Sequence, residues 1–181
     1  MKRIVLRFGL ASGFIIVALS SVTLPLCMNG TLGHSEIVGY TTMVLAFLMV
    51  FFGIRSYRDN VAAGAIGFGK AFQVGILITL VTCAVYVIGW EIAYFNFFPN
   101  FLDQYTASVL RKMQAKGASP AEIQEKAATL AEMAKHYHNV LYNSAVTFME
   151  IFPVGLIVTL VSAAILRRKP RQGIPGAAVP A

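Results

Sequence analysis

Residues 71–94 read AFQVGILITLVTCAVYVIGWEIAY and carry one charged side chain, Glu91. A helix over this stretch is apolar all round, so it has no face to offer to water. Such a helix rises about 1.5 Å per residue, and about 20 residues cross the hydrocarbon core of a bilayer. Residues 4–28, 37–52 and 141–166 share the property, the second reaching spanning length with its flanks at 36–57. The chain as a whole is 13% charged, about half the figure for a soluble domain. The sequence therefore predicts an all-α membrane protein with four transmembrane helices, at about 4–28, 36–57, 71–96 and 141–166. These form one domain over residues 1–169, followed by a disordered cytoplasmic tail at 170–181.

A net charge of +7 raises the question of nucleic acid, and the placement of the charge answers it. Lys2, Arg3 and Arg7 precede the first span, Arg55, Arg58 and Lys70 lie between the second and third, and Arg167, Arg168, Lys169 and Arg171 follow the fourth. The connection NGTLGHS between the first two spans has no Lys or Arg. Short loops keep positive charge on the cytoplasmic side, so both termini are expected in the cytoplasm and residues 99–140 outside it. No nucleic-acid partner is expected. A cleaved signal peptide is the alternative for the N-terminus, but its apolar run exceeds the usual core of about 7–15 residues. Cys27 and Cys83 are expected at different depths, as packing residues rather than a disulfide.

Residues 64–71, GAIGFGKA, fall one hydroxyl short of a phosphate-binding loop, with Ala71 where Ser or Thr belongs. That loop also needs a preceding buried strand, and FFGIRSYRDN is an unlikely one. The expected role is conformational: Gly64, Gly67 and Gly69 allow unusual backbone shapes and close packing. Arg55, Arg58 and Lys70 then become candidate contacts for lipid headgroups.

Between the third and fourth spans, Leu102, Tyr105, Val109 and Met113 share one helical face, and Gly117 can end that helix. SPAE supplies Ser119 as N-cap, Pro120 in the first turn and Glu122 three residues after the cap. Ile123, Ala127, Leu130, Ala134 and Tyr137 then form an apolar edge. The expectation is an extracytoplasmic helical hairpin over 99–140, whose faces pack on each other, lie on the bilayer, cap the bundle or bind a partner. His136 and His138 are two apart and point to different sides of a helix, so no metal site is expected.

Two carboxylates sit inside predicted spans, Glu91 and Glu150. Each costs about 2.5–3.5 kcal/mol at a bilayer centre on insertion scales, so it should face protein, water or a partner, or be protonated. Asn143, Thr147 and Glu150 follow i, i+4, i+7 and make one polar stripe. Pro153, just beyond, leaves the Met149 carbonyl open to another contact. With Ser20, Ser21, Thr23, Thr41 and Thr42 at similar depth, an internal polar pocket is expected in the outer half. Glu91, Asn143, Thr147 and Glu150 are its candidate functional residues, weighed against a merely satisfied polar network. Gly9 and Gly13 form a G-x-x-x-G pattern that allows a close helix approach, within the chain or between chains.

The stretches SEIVGY, FFGIRSYRDN, GFGKAFQVG, GWEIAY and EIFPVGL, in this order, resemble the domain-of-unknown-function 4199 family from residue 2 to about 168. The resemblance implies a four-span inner-membrane protein of a bacterium and places Glu36, Arg55, Tyr57, Arg58, Lys70, Glu91, Glu150 and Pro153 inside the motif-like stretches. It implies no reaction, substrate or cofactor. The expected function is non-enzymatic, binding membrane lipids, a membrane-protein partner or a second copy through the outer hairpin. The alternative is a transporter or channel subunit using the embedded carboxylates. A lipid-modifying enzyme ranks last, since no catalytic constellation is visible.

Overall fold

A computed structural model describes residues 1–28, 35–98 and 100–168, apart from the side chains of Pro25, Cys27, Met28, Ser35 and Glu36. The expected tail, the expected loop between the first two spans and the side-chain placement of Cys27 thus lie outside the described residues. Six helices follow one another: α1 Lys2–Met28, α2 Ser35–Asn60, α3 Phe68–Phe97, α4 Phe101–Ala115, α5 Pro120–Tyr137 and α6 Val140–Leu166. Four of them, α1, α2, α3 and α6, are long and apolar enough to cross a membrane. The expected spans and the helices agree to within a few residues, because the same run of apolar side chains sets both.

The four long helices pack in a ring ordered α1, α2, α6, α3, and α2 also meets α3 across the middle. Phe47, Ile54, Ile78 and Ile151 are fully buried in the centre. Phe14, Ile88, Ile157 and Ile165 point outward and are each at least 60% exposed. An apolar rim of this kind suits lipid, where helices associate through close packing rather than exclusion of water. Small residues provide that closeness. A Cβ added at Gly9 would lie 2.6 Å from Val81 Cβ, and one at Gly13 would lie 2.5 Å from Val85 Cβ. The G-x-x-x-G pattern therefore serves α1 against α3 within the chain. Buried hydroxyls stitch the neighbouring seams, α1 to α2 and α3 to α6: Ser12 Oγ donates to the Ala46 carbonyl at 2.8 Å, and Thr79 and Thr159 share a hydrogen bond of 2.8 Å.

The connection after α2 is a turn, not a phosphate loop, and the segment before it is helical. Gly64 takes φ +81, open to glycine and strained for most residues. Ile66 and Arg168 then exchange two backbone hydrogen bonds, 2.8 and 3.0 Å, clasping this turn to the end of α6. Gly67 and Gly69 depart from the expected role. Gly67 is an ordinary extended N-cap, Gly69 is helical, and an added Cβ at either would meet nothing within 4 Å.

At the opposite end, α4 and α5 form a helical hairpin between α3 and α6. Gly117, at φ +78, ends the first helix. Ser119 and Glu122 close a reciprocal capping box at the start of the second. The Ser119 backbone N–H and hydroxyl hold the Glu122 carboxyl below its usual range. Asn139 caps α6 by accepting from Leu141 N–H at 2.9 Å.

Candidate functional site: a roofed cavity

The hairpin does not lie beside the bundle; it sits on one end of it. Helix α3 is 30 residues long, about 45 Å, against a hydrocarbon thickness of about 30 Å. Its surplus turns carry Trp90 and Tyr94 up to the hairpin. There Tyr94, Leu102 and Tyr137 form a second apolar cluster, joined by Trp90, Phe101, Met133, Ala134 and Val146. The Tyr94 ring meets the Tyr137 ring edge-on at 5.3 Å, and Trp90 meets Phe101 likewise at 4.9 Å. Of the four arrangements open to the hairpin, the structure shows mutual packing together with capping of the bundle.

Beneath this roof is a cavity of about 620 Å³. Its roof is the apolar face of α4 read from the sequence, Leu102, Tyr105, Val109 and Met113, with Met133 and Tyr137 from α5. Its walls are Ser20 and Thr23 of α1, Tyr40 and Thr42 of α2, Tyr86 and Trp90 of α3, and Thr147 and Glu150 of α6. Charge is sparse and segregated. Glu150 is the one acid among the described lining residues, while Lys112 of α4 and Lys116 just past its end are the two bases. Glu150 lies ten residues into α6, about 15 Å along its axis from the end that meets the hairpin. It keeps exposed surface because it borders open space.

Of the predicted stripe, Thr147 and Glu150 border the cavity, and Asn143 is fully buried beside it. Asn143 Oδ1 accepts from Trp90 Nε1 at 2.9 Å and from Thr147 Oγ1 at 3.3 Å, tying α3 to α6 under the roof. Its Nδ2 is buried with no hydrogen-bond partner. Glu91 is one residue from Trp90 and so faces elsewhere: its Oε1 accepts from Ser144 Oγ at 2.8 Å, and its Oε2 is buried and unpartnered. The two carboxylates grouped by the sequence thus occupy separate environments. Ser20, Thr23 and Thr42 border the cavity as anticipated, whereas Ser21 turns back onto the Val17 carbonyl and Thr41 is exposed elsewhere.

Tyr137 is the keystone between roof and wall. Burial pushes its hydroxyl up to about 12; contacts with Trp90 and Thr147 pull the other way, and the Glu150 charge adds to the rise. The hydroxyl therefore stays neutral at ordinary pH and can donate a hydrogen bond. His136 stands against Tyr142 and Glu132, and His138 against Tyr94, so the two histidines have different neighbours.

Arg55, Arg58 and Lys70 gather at the other end of the bundle. Arg58 Nε meets Asp59 Oδ1 at 2.7 Å and is largely covered, while Arg55 reaches Asp59 Oδ2 at 3.6 Å and is more than half exposed. Lys70 Nζ donates to Gln73 at 2.9 Å. Arg58 is thus engaged within the chain, leaving Arg55 and Lys70 the more open of the three candidates.

The family described as protein of unknown function, DUF4199, matches residues 7–168. The chain belongs to that family. The match covers α1 from residue 7 onward, the other three apolar helices and the whole hairpin, so the roofed cavity lies entirely within the DUF4199 region. No curated protein and no solved structure matches the chain. Sequence reading passed over Lys112 and Lys116 as lining residues. Their spacing of i, i+4 from Ser108 was the available signal, one step round the helix from Val109 and Met113.

Proposed function

We propose that this DUF4199 protein is a non-enzymatic inner-membrane protein of a bacterium that holds a small amphiphilic or lipid-like molecule beneath its extracytoplasmic hairpin. The cavity under the hairpin carries this reading. Its volume of about 620 Å³ falls in the range of ligand sites, about 300–1,000 Å³, and its mainly aromatic and aliphatic lining with a few placed polar groups has the same character. The floor favours holding over conducting. Below Glu150 the bundle closes on Phe47 and Ile151, both fully buried. The Phe47 ring comes so near Gly155 that an added Cβ would lie 2.6 Å from it. Glu91, off the cavity, gives no second relay group for a transported proton.

The orientation rests on charge. Lys2, Arg3, Arg7, Arg55, Arg58, Lys70, Arg167 and Arg168 all belong to the end remote from the hairpin, and such clusters stay in the cytoplasm. A reporter active only outside the cytoplasm should work when inserted within residues 115–118 and stay silent after Arg168.

The binding reading is tested by mass analysis of solvent extracts from the full chain purified in mild detergent. The wild type should retain one amphiphile class at near one molecule per chain. Val146→Trp, which fills the cavity from its wall, should lose it while keeping its helical content. Equal retention by both proteins, or none by either, would overturn the reading.

A further inference from the structure

At the end of the bundle remote from the hairpin, α1 and α2 leave an open groove of about 410 Å³, lined by Phe8, Met49, Phe52, Arg55, Ser56 and Asp59. The spacing of the last five puts them on one face of α2. Gly53 lets Phe8 come close at this level, since an added Cβ would lie 3.2 Å from Phe8 Cβ. Along α2 the groove changes from apolar at Met49 and Phe52 to polar at Arg55, Ser56 and Asp59, close to the helix end at Asn60. At about 1.5 Å per residue, Arg55 and Asp59 stand about 6 Å apart along the axis. The polar layer of a bilayer is roughly 5–8 Å thick on each side, so the charged part matches a head group and the apolar part an acyl chain.

The charge in the groove has one sign left over. Asp59 is its one acid, and both carboxylate oxygens are engaged: Oδ1 meets Arg58 at 2.7 Å and Oδ2 meets Arg55 at 3.6 Å. One carboxylate between two guanidinium groups leaves a positive charge in excess. Arg55 is the one placed to share it, its side chain being 57% exposed against 18% for Arg58. Ser56 Oγ accepts from Asn60 Nδ2 at 3.2 Å and keeps its own proton to donate. A guanidinium with a hydroxyl beside it suits a phosphate. We propose that this groove holds one anionic phospholipid of the phosphatidylglycerol type, its acyl chain along Phe8, Met49 and Phe52 and its phosphate at Arg55 and Ser56. A zwitterionic lipid offers the same phosphate but brings an ammonium to a site in positive excess, with no free carboxylate oxygen to meet it. The site is at the opposite end of the bundle from the roofed cavity and stands independently of the reading given for that cavity.

Native mass spectrometry of the full chain released from mild detergent reads the first bound lipid, with phosphatidylglycerol, phosphatidylethanolamine and phosphatidylcholine of identical acyl chains added in turn. Phosphatidylglycerol should bind at least about tenfold more tightly than either zwitterion. Arg55→Gln should lower its affinity by at least about fivefold, the effect of one cation beside an anionic head group. Asp59→Asn, which removes the competing carboxylate, should raise it. Lys70→Gln removes an exposed cation from the same end but outside the groove, and should change the affinity by less than about twofold. Val146→Trp, which fills the roofed cavity, should leave the lipid preference in place whether or not that cavity proves to hold a ligand. Equal binding of the three lipids, or an equal loss from Arg55→Gln and Lys70→Gln, overturns the proposal. Loss of the preference in Val146→Trp assigns the anionic lipid to the roofed cavity and overturns it as well.

Discussion

Removing the Tyr137 side chain should release the hairpin while leaving the membrane helices folded. Tyr137 is 7% exposed, at the centre of the cluster that joins α5 to α3 and α6. Truncating a buried large aromatic to Ala costs about 3–5 kcal/mol, of which the edge-on pair with Tyr94 supplies roughly 0.5–1.5. Tenfold in an equilibrium corresponds to about 1.4 kcal/mol, so the docked fraction should fall by about two to three and a half orders of magnitude. Once undocked, α4 and α5, with 15 and 18 residues, are near the length at which isolated helices are marginal. Undocking should therefore appear as unfolding. In amide hydrogen exchange of the full chain in nanodiscs, Tyr137→Ala should speed exchange across Phe101–Ala115 and Pro120–Tyr137 by at least about a hundredfold. Amides around Thr79 and Cys83, deep in α3, should keep their protection. Unchanged exchange in the hairpin, or an equal rise throughout the bundle, would refute the view of the hairpin as a separately docked roof.

The ionisation of the same residue gives a pH test. The fold favours the neutral hydroxyl, whose value lies near 12 against about 10 in an unfolded chain. The stabilisation is therefore complete below about pH 10 and disappears as pH rises towards 12. Acrylamide quenching of Trp90 should increase over that interval in the wild type and lose this step in Tyr137→Phe; identical profiles would contradict the assignment. Helix contact gives another. Gly13→Ala places a Cβ 2.5 Å from Val85 Cβ, whereas Gly69→Ala meets nothing. The first should lower stability by about 1–3 kcal/mol and the second should be close to neutral in thermal unfolding in detergent. Equal midpoints would show that the α1–α3 seam is looser than described.

Much of the fold was legible because each signal was local. A bilayer demands about 20 apolar residues per helix, and Ser119, Pro120, Glu122 and Gly117 mark helix ends by chemistry confined to one turn. The cavity was legible in part. Spacing put Asn143, Thr147 and Glu150 on one face of α6, but it could not say that Asn143 would be consumed by Trp90 while Glu150 bordered open space. The rotation of each helix about its axis is decided by its neighbours. That is why Glu91 and Glu150, grouped as one candidate site, proved separate, and why Gly9 and Gly13 pack closely where Gly67 and Gly69 do not.

The central claim is that the hairpin and bundle enclose one selected small molecule. Photocrosslinking in living cells tests it most directly, with a benzophenone side chain placed at Met113 in the roof or at Ile157 on the outward rim. The account predicts a single dominant small-molecule adduct at position 113 and the bulk membrane lipid mixture at 157. The same bulk mixture at both positions, or no adduct at 113, would contradict it.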